Sequence, residues 1–506
     1  MSISNMSNIP DLADIRPFKS DYSQRIDSEI NDPVVINDTG GSQGGGFARF
    51  SLTNKGFLSS DSALMVGIKN NSNSDISYFA PHIGANQLIH TIVLKFGAKV
   101  VSEIREFSSF SAYKSMFNSP TENFEKNQYL NGQMYNLTEV YQYDKNKVDE
   151  NNKATSLSLN NGMPLTTSLT NDIQHYRGHQ SSVYESVYAL KLFELFPFFS
   201  QSKQFPLLMC KEEINIEIHF NKYPFNINRI TNGAVANARP SLINTTEIKL
   251  CADYIFMDAE LMTAYMNDPK NQSYQWDYLD YRLSQQVISA TGSADVAGQY
   301  GGIITKNVRN VGCANLMCNK VIMGLEDIGV YVSKGGSSAD EKSNDIYRLS
   351  SLSILNKYRG VRTRSSDIKD SKFSYNVRYN DSYLYPIDRD NDSLLMDDIY
   401  QAEGKVFRVN KGHYSKQDKA TVEKNWLTTI DNENHNLSGN LFWVCAKLDG
   451  RRINSNGIDI EFENTSIDNN AYANYSSRSK QYLQNVWLEL QRTAILKNGI
   501  VDCYYK

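Results

Sequence analysis

The chain lacks most of the features that would assign it quickly. Its 506 residues include only 4 Trp and 6 Cys. No apolar run approaches the roughly 18 residues a membrane-spanning helix needs. The opening stretch, MSISNMSNIPDLADIRPFKS, has neither a charged leader nor an apolar centre, so it does not read as a secretory signal. The sequons at Asn136-Leu-Thr and Asn244-Thr-Thr are therefore not expected to carry glycans. The cysteines, mostly inside apolar runs, read as reduced, buried thiols of a cytosolic product. Basic excess is also missing. Lys and Arg number 52 against 56 Asp and Glu, a net charge of −4, whereas a domain that wraps nucleic acid usually carries a positive surplus. No Ser/His/Asp or Cys/His set stands out for nucleophilic catalysis.

Alternation is what the chain does have. From Glu247 to Met262, Ile248, Leu250, Ala252, Tyr254 and Phe256 fall on every second position, which places them on one face of a strand. The alternation stops at Asp258, a candidate cap for a short helix beginning at Ala259-Glu260, and Asp268-Pro269 ends that helix. We read this stretch as the last strand of one β-domain running into a hinge. Ile214, Ile216, Ile218 and Phe220 alternate with Asn215, Glu217 and His219 in the same way, which makes His219 a lone outward side chain without a catalytic role. Asn86 to Ile104 predicts a strand, a turn at Gly97-Ala98 and a returning strand. Ser186 to Phe199 is apolar with an unclear period, and we read it as a strand ending at Pro197.

The domain layout expected from these signals is an N-terminal arm over 1–35, a first domain over 36–268 with a polar insertion at 118–180, a linker at 269–279, and a second domain over 280–506 with an insertion at 334–440. Three segments recur in order. Ala85 and Ala314 open similar stretches, Ile214 to Ile218 is echoed by Ile458 to Phe462, and the strand from Ile248 is echoed by Val486 to Leu490. A near-constant offset between three ordered matches points to duplication.

Candidate sites are weak. The glycines from Gly40 to Gly46 precede Phe47-Ala48-Arg49-Phe50 rather than the Lys-Ser/Thr and helix of a phosphate loop, so they read as a turn into a strand. His175 and His179 are four apart, but Gly178 interrupts a helix there. Asp388, Asp390 and Asp392 resemble the start of a calcium loop, yet Ser393 and Ile399 stand where Gly and Glu are needed. Cys313 and Cys318 have no second pair for zinc. No catalytic, cofactor-binding or metal residue is assigned. The rival reading is a β-sandwich glycoside hydrolase or lectin. It would use carboxylates such as Glu185 and Glu194 or Asp381 and Asp388, but four scattered Trp leave little for sugar platforms.

Particular stretches resemble a known family. Asn86 to Gly97, Phe196-Pro-Phe-Phe, Gln204 to Leu208, Glu213 to Phe220, and Ala252 to Glu260 are similar to segments of double jelly-roll major capsid proteins of large DNA viruses, virophages and polinton-like elements. Gly439 to Trp443, Ile458 to Glu463 and Arg492 to Gly499 are similar to that family's final strands. The virophage branch, Mavirus-type in particular, is the nearest in kind, although the acidic, arginine-rich hinge common in algal viruses is absent at Asp258 to Met262. The resemblance implies an all-β fold of two tandem eight-stranded antiparallel jelly rolls with long loops and short helices. It further implies a non-enzymatic shell protein that forms pseudo-hexameric homotrimers tiling an icosahedral capsid, assembled in the host cytoplasm. Partners would be other copies of itself, a pentameric vertex protein and a maturation protease that removes a C-terminal extension, which a chain ending at Lys506 would fit. Sequence-specific nucleic-acid contact is not expected.

Overall fold

The computed structural model describes residues 25–37, 46–70, 75–78, 84–115, 117, 126–127, 130–132, 141–143, 157–159, 179–180, 186–199, 204–221, 226–231, 234–237, 243–268, 273–289, 304–327, 372–389, 392–404, 443–454, 457–465 and 481–506. Among them, two sandwiches share a repeated frame of eight strands each, flanked by shorter pieces. The first holds β1 (Arg25–Asn31), β2 (Phe47–Leu52), β3 (Ala63–Asn70), β4 (Ile89–Phe96), β5 (Lys99–Arg105), β6 (Ser186–Lys191), β7 (Ile214–Phe220) and β8 (Ile243–Phe256). The second holds β9 (Ser273–Ser289), β10 (Ile304–Val311), β11 (Met317–Asp327), β12 (Lys372–Tyr379), β13 (Ser382–Tyr383), β14 (Trp443–Arg452), β15 (Ile458–Thr465) and β16 (Gln481–Lys497).

Every pairing is antiparallel. One sheet of the first sandwich runs β6-β3-β8-β1 and the other β2-β7-β4-β5. The second sandwich repeats both orders, β14-β11-β16-β9 and β10-β15-β12-β13, so strand n corresponds to strand n + 8 throughout. This is the two-sheet jelly roll, made twice. The helix after the fifth strand is repeated too, as α1 (Phe107–Ser115) in the first roll and α3 (Asp392–Glu403) in the second. Between the rolls lies α2 (Ala259–Asn267).

The strand-to-helix stretch follows its alternation as far as Tyr254; beyond it the pattern breaks, with Ile255 buried and Phe256, expected on the inner face, only partly so. Ile248, Leu250, Ala252 and Tyr254 are buried, while Lys249, Cys251 and Asp253 are not. Asp258 takes the position before α2 without a side-chain capping bond to it. β7 buries Ile214, Ile216, Ile218 and Phe220, and the turn between β4 and β5 falls at Gly97 with φ +56°.

Several expectations need correction. Residues 25–31, assigned to the arm, are a roll strand along β8, with Arg25 opposite Phe256 and Asn31 opposite Leu250. The 269–279 linker is strand from Ser273 onward, because Tyr274, Trp276 and Tyr278 alternate into buried sites. The strand expected from Ser186 to Pro197 leaves the sheet at Lys191 and becomes the short helix Leu192–Leu195. The 334–440 insertion contains β12, β13 and α3, integral parts of the second roll. That alters the duplication. The matches 214 to 458 and 248 to 486 pair equivalent strands, β7 with β15 and β8 with β16. The stretch at Ala314, however, leads into β11, whose counterpart is β3, while the counterpart of β4 is β12.

Candidate functional site

Buried apolar side chains from both rolls form one continuous cluster, from Ala48 to Val501. The rolls meet along a seam made chiefly by β5 and α1 of the first and by β9, β16 and α3 of the second. β16 is the main wall. Val486, Leu488 and Leu490 face its own core, while Trp487 and Glu489 on the opposite face are equally shut from solvent. The first roll covers that second face: the Trp487 indole donates to the Arg105 carbonyl at 3.2 Å. Phe198, Phe205, Phe96 and Trp276 add an aromatic contact, with Phe198 meeting Trp276 edge-on at 5.2 Å and the Trp276 indole donating to the Phe198 carbonyl at 3.3 Å.

Set into this apolar seam is a charged knot. Lys320 on β11 reaches Glu403 at the end of α3 at 2.6 Å and Glu489, its cross-strand partner on β16, at 3.1 Å. Tyr113 of α1 donates to Glu403 at 2.6 Å, and Tyr281 of β9 donates to Glu489 at 2.8 Å. Lys114 of α1 stands 3.9 Å from each carboxylate, its ammonium over the rings of Phe110, Tyr113 and Tyr281 at 5.3 to 5.8 Å. Two ammonium and two carboxylate groups leave the knot neutral, the condition under which buried charge is tolerated.

The proton affinities follow. Burial alone would lower the Lys320 ammonium, but Glu489 and Glu403 outweigh it and hold the group above its ordinary value. Burial works to raise the Glu403 carboxyl, yet Lys114 and Lys320 outweigh it and hold it below the usual range. Lys114 is lowered by burial, because its carboxylates are farther off and Lys320 repels it. Burial pushes the Tyr113 and Tyr281 hydroxyls well up, so both stay protonated donors.

A second knot lies beside it. The Arg492 guanidinium of β16 donates to the Val101 carbonyl of β5 at 2.9 Å and pairs with Asp280 at 3.1 Å. Tyr278 donates to the same carbonyl at 2.6 Å. The C-terminal hairpin completes the seam. Its closing strand, Ile500–Tyr505, runs along β16. The Val501 amide donates to Glu212 at 2.8 Å, and Lys99 reaches Asp502 at 2.6 Å.

The weighed site residues are dispersed. His175, Glu185 and Asp390 lie outside the described residues; His179 is in a short strand opposite Tyr78, not on a helix. Asp392 opens α3 rather than a calcium loop, and Asp388 accepts from Asn376 at 2.9 Å. Asp381 sits in the β12–β13 turn with φ +65°, and Glu194 pairs with Lys126. Cys313 and Cys318 are buried singly, their thiols pushed up by burial, that of Cys313 to about 11. Sequence reasoning missed the knot itself. Its one visible signal was Lys320 in an inward register between Cys318 and Ile322, both wholly buried.

No family model matches the sequence, and no curated protein matches it. Solved structures do. PBCV-1 VP54, as fitted into a reconstruction of the virophage Sputnik, aligns over 96% of this chain and 97% of that one at 11% identity, TM-score 0.51. The 3.5 Å Sputnik virophage structure aligns over 95% of this chain and 88% of its own at 11% identity, TM-score 0.50. The mavirus major capsid protein aligns over 94% and 90% at 10% identity, with a TM-score of 0.43 that assigns no branch. The fold is therefore the double jelly roll seen in viral major capsid proteins.

Proposed function

We propose that this chain is a viral major capsid protein, a structural component of a virion that performs no chemical step. The observation that carries the reading is the seam. Two copies of one roll are fused into a single block through a continuous core and neutral charged knots, an arrangement suited to bearing load as a unit. The likeness to capsid proteins along nearly the full length of both chains supports it.

In this reading three chains close around a threefold axis and present six rolls as a near-hexagonal tile of an icosahedral shell. The contact is heterologous, one face of each subunit on a different face of the next. Permanent interfaces of this kind bury more than roughly 2,000 Å² and are apolar at the centre. Ile26 and Ile30 on β1, 62% and 67% exposed in the single chain, are apolar side chains of the kind such a contact covers. Residues 1–24 would reach neighbouring tiles or a pentameric vertex protein, and the long insertions would serve as outward loops or clamps. Assembly in the host cytoplasm and trimming by a viral protease belong to the same proposal.

Size-exclusion chromatography with light scattering tests it. The expected result is a stable species of three chains, and a clean monomer with hydrolytic activity on glycans would overturn it. Deleting residues 1–20 should leave trimers intact and stop shell assembly, scored by electron microscopy of expressed particles.

A further inference from the structure

One feature of the seam is not used by a shell role. A cavity of about 370 Å³ opens beside the charged knot, lined by Asn86, Phe110, Lys114, Asn131, Phe193 and Tyr281, among others. That volume lies in the range of small-molecule sites. Phe110 and Tyr281 are the same rings that hold the Lys114 ammonium, at 5.6 and 5.3 Å, so this cation belongs to the cavity wall.

Among the described residues the Lys114 ammonium is poorly served. Lys320 takes the short contacts to Glu403 and Glu489, and Tyr113 and Tyr281 donate to the same two carboxylates. Lys114 is left at 3.9 Å from both, beyond hydrogen-bonding range, and among the described residues no other acceptor is in reach of its ammonium. Burial depresses its proton affinity accordingly. An ammonium has three donors, and here they border an apolar and aromatic space. About a third of the Lys114 side chain remains accessible. The amide of Asn86, bonded to Ser111 at 2.9 Å, adds polarity beside it, while the Lys126–Glu194 pair marks the rim.

We infer that this cavity binds a small amphiphilic carboxylate, its head accepting from the Lys114 ammonium and its apolar body lying against Phe110, Phe193 and Tyr281. The saturation of Glu403 and Glu489 by Lys320 and the two tyrosines limits their repulsion of the incoming carboxylate. The apolar walls select a hydrocarbon or aromatic body over a sugar. Such binding is independent of the shell role, since it needs only the folded chain.

The test is isothermal titration of octanoate into the purified full chain, with octanol as the uncharged probe and two variants. Lys114→Gln removes the cation. Leu130→Trp fills the cavity from a wall outside the knot, and circular dichroism confirms that each variant is folded. The wild type should bind octanoate saturably at one site. Octanol and Lys114→Gln should each weaken binding at least tenfold, and Leu130→Trp should abolish it. Absence of saturable octanoate binding to the wild type, octanol binding as tightly as octanoate, or unchanged binding in the folded Leu130→Trp protein would each overturn the inference.

Discussion

Lys320 is the residue on which the seam turns. Its side chain is 9% exposed and holds two carboxylates that have no other short ammonium contact. Lys320→Met should therefore cost about 3–5 kcal/mol, the usual effect of stripping one partner from a buried pair, read as a loss in denaturant midpoint. Glu403 gives the matching pH effect. Its folded proton affinity is depressed below the ordinary 4.5, so the stability it brings is present in full above that value and is lost as pH falls through the lower folded value. The melting temperatures of wild type and Glu403→Gln should differ at neutral pH and converge in acid. Gly499 is a third such position. It has φ +89°, and an added Cβ would overlap the Lys211 side chain. Gly499→Ala should cost about 1–3 kcal/mol and loosen the Lys211 to Gly499 backbone bond, 2.8 Å long, measurable by faster amide exchange at Lys211.

The elements were legible where only one face of a strand is buried. β7 and the inner half of β8 alternate cleanly, so period two reveals them. β12 was hidden because its buried positions include polar groups: Ser374 and Asn376 are enclosed with Tyr375 and Val377. The Asn376 amide donates to the Tyr385 carbonyl at 3.1 Å and to Asp388 at 2.9 Å, partners that sequence spacing does not announce. β16 was misleading in the opposite sense. It buries both faces, so its apolar run signals a strand but not that a second domain covers it. The seam was illegible for the same reason: its charges come from α1, β11, α3 and β16, stretches far apart in the chain and brought together by topology alone. Removing the Trp487 indole donor should test that cover. Trp487→Phe leaves the Arg105 carbonyl without this donor and should destabilise by about 1–3 kcal/mol.

At the scale of the molecule, the two rolls should melt as one. A shared core and knots drawn from both rolls leave neither with a complete surface of its own, so calorimetry should show a single transition rather than two. The duplicated order of strands, β1 to β8 repeated as β9 to β16, makes the block nearly symmetric, while the knots sit on the line between its halves. What was legible falls off with distance along the chain: local period gave the strands with one buried face, ordered echoes gave two of the three repeat pairs, and the contacts joining the halves came only with the fold.

The closing hairpin carries one more consequence. Residues 485–505 supply Trp487, Arg492, Val501 and Asp502, all of which grip the first roll, and Glu489, which faces Lys114 of α1. Made from its N-terminus, the first roll waits with its aromatic flank bare until these late residues arrive, so the brick sets only when its second half is in place.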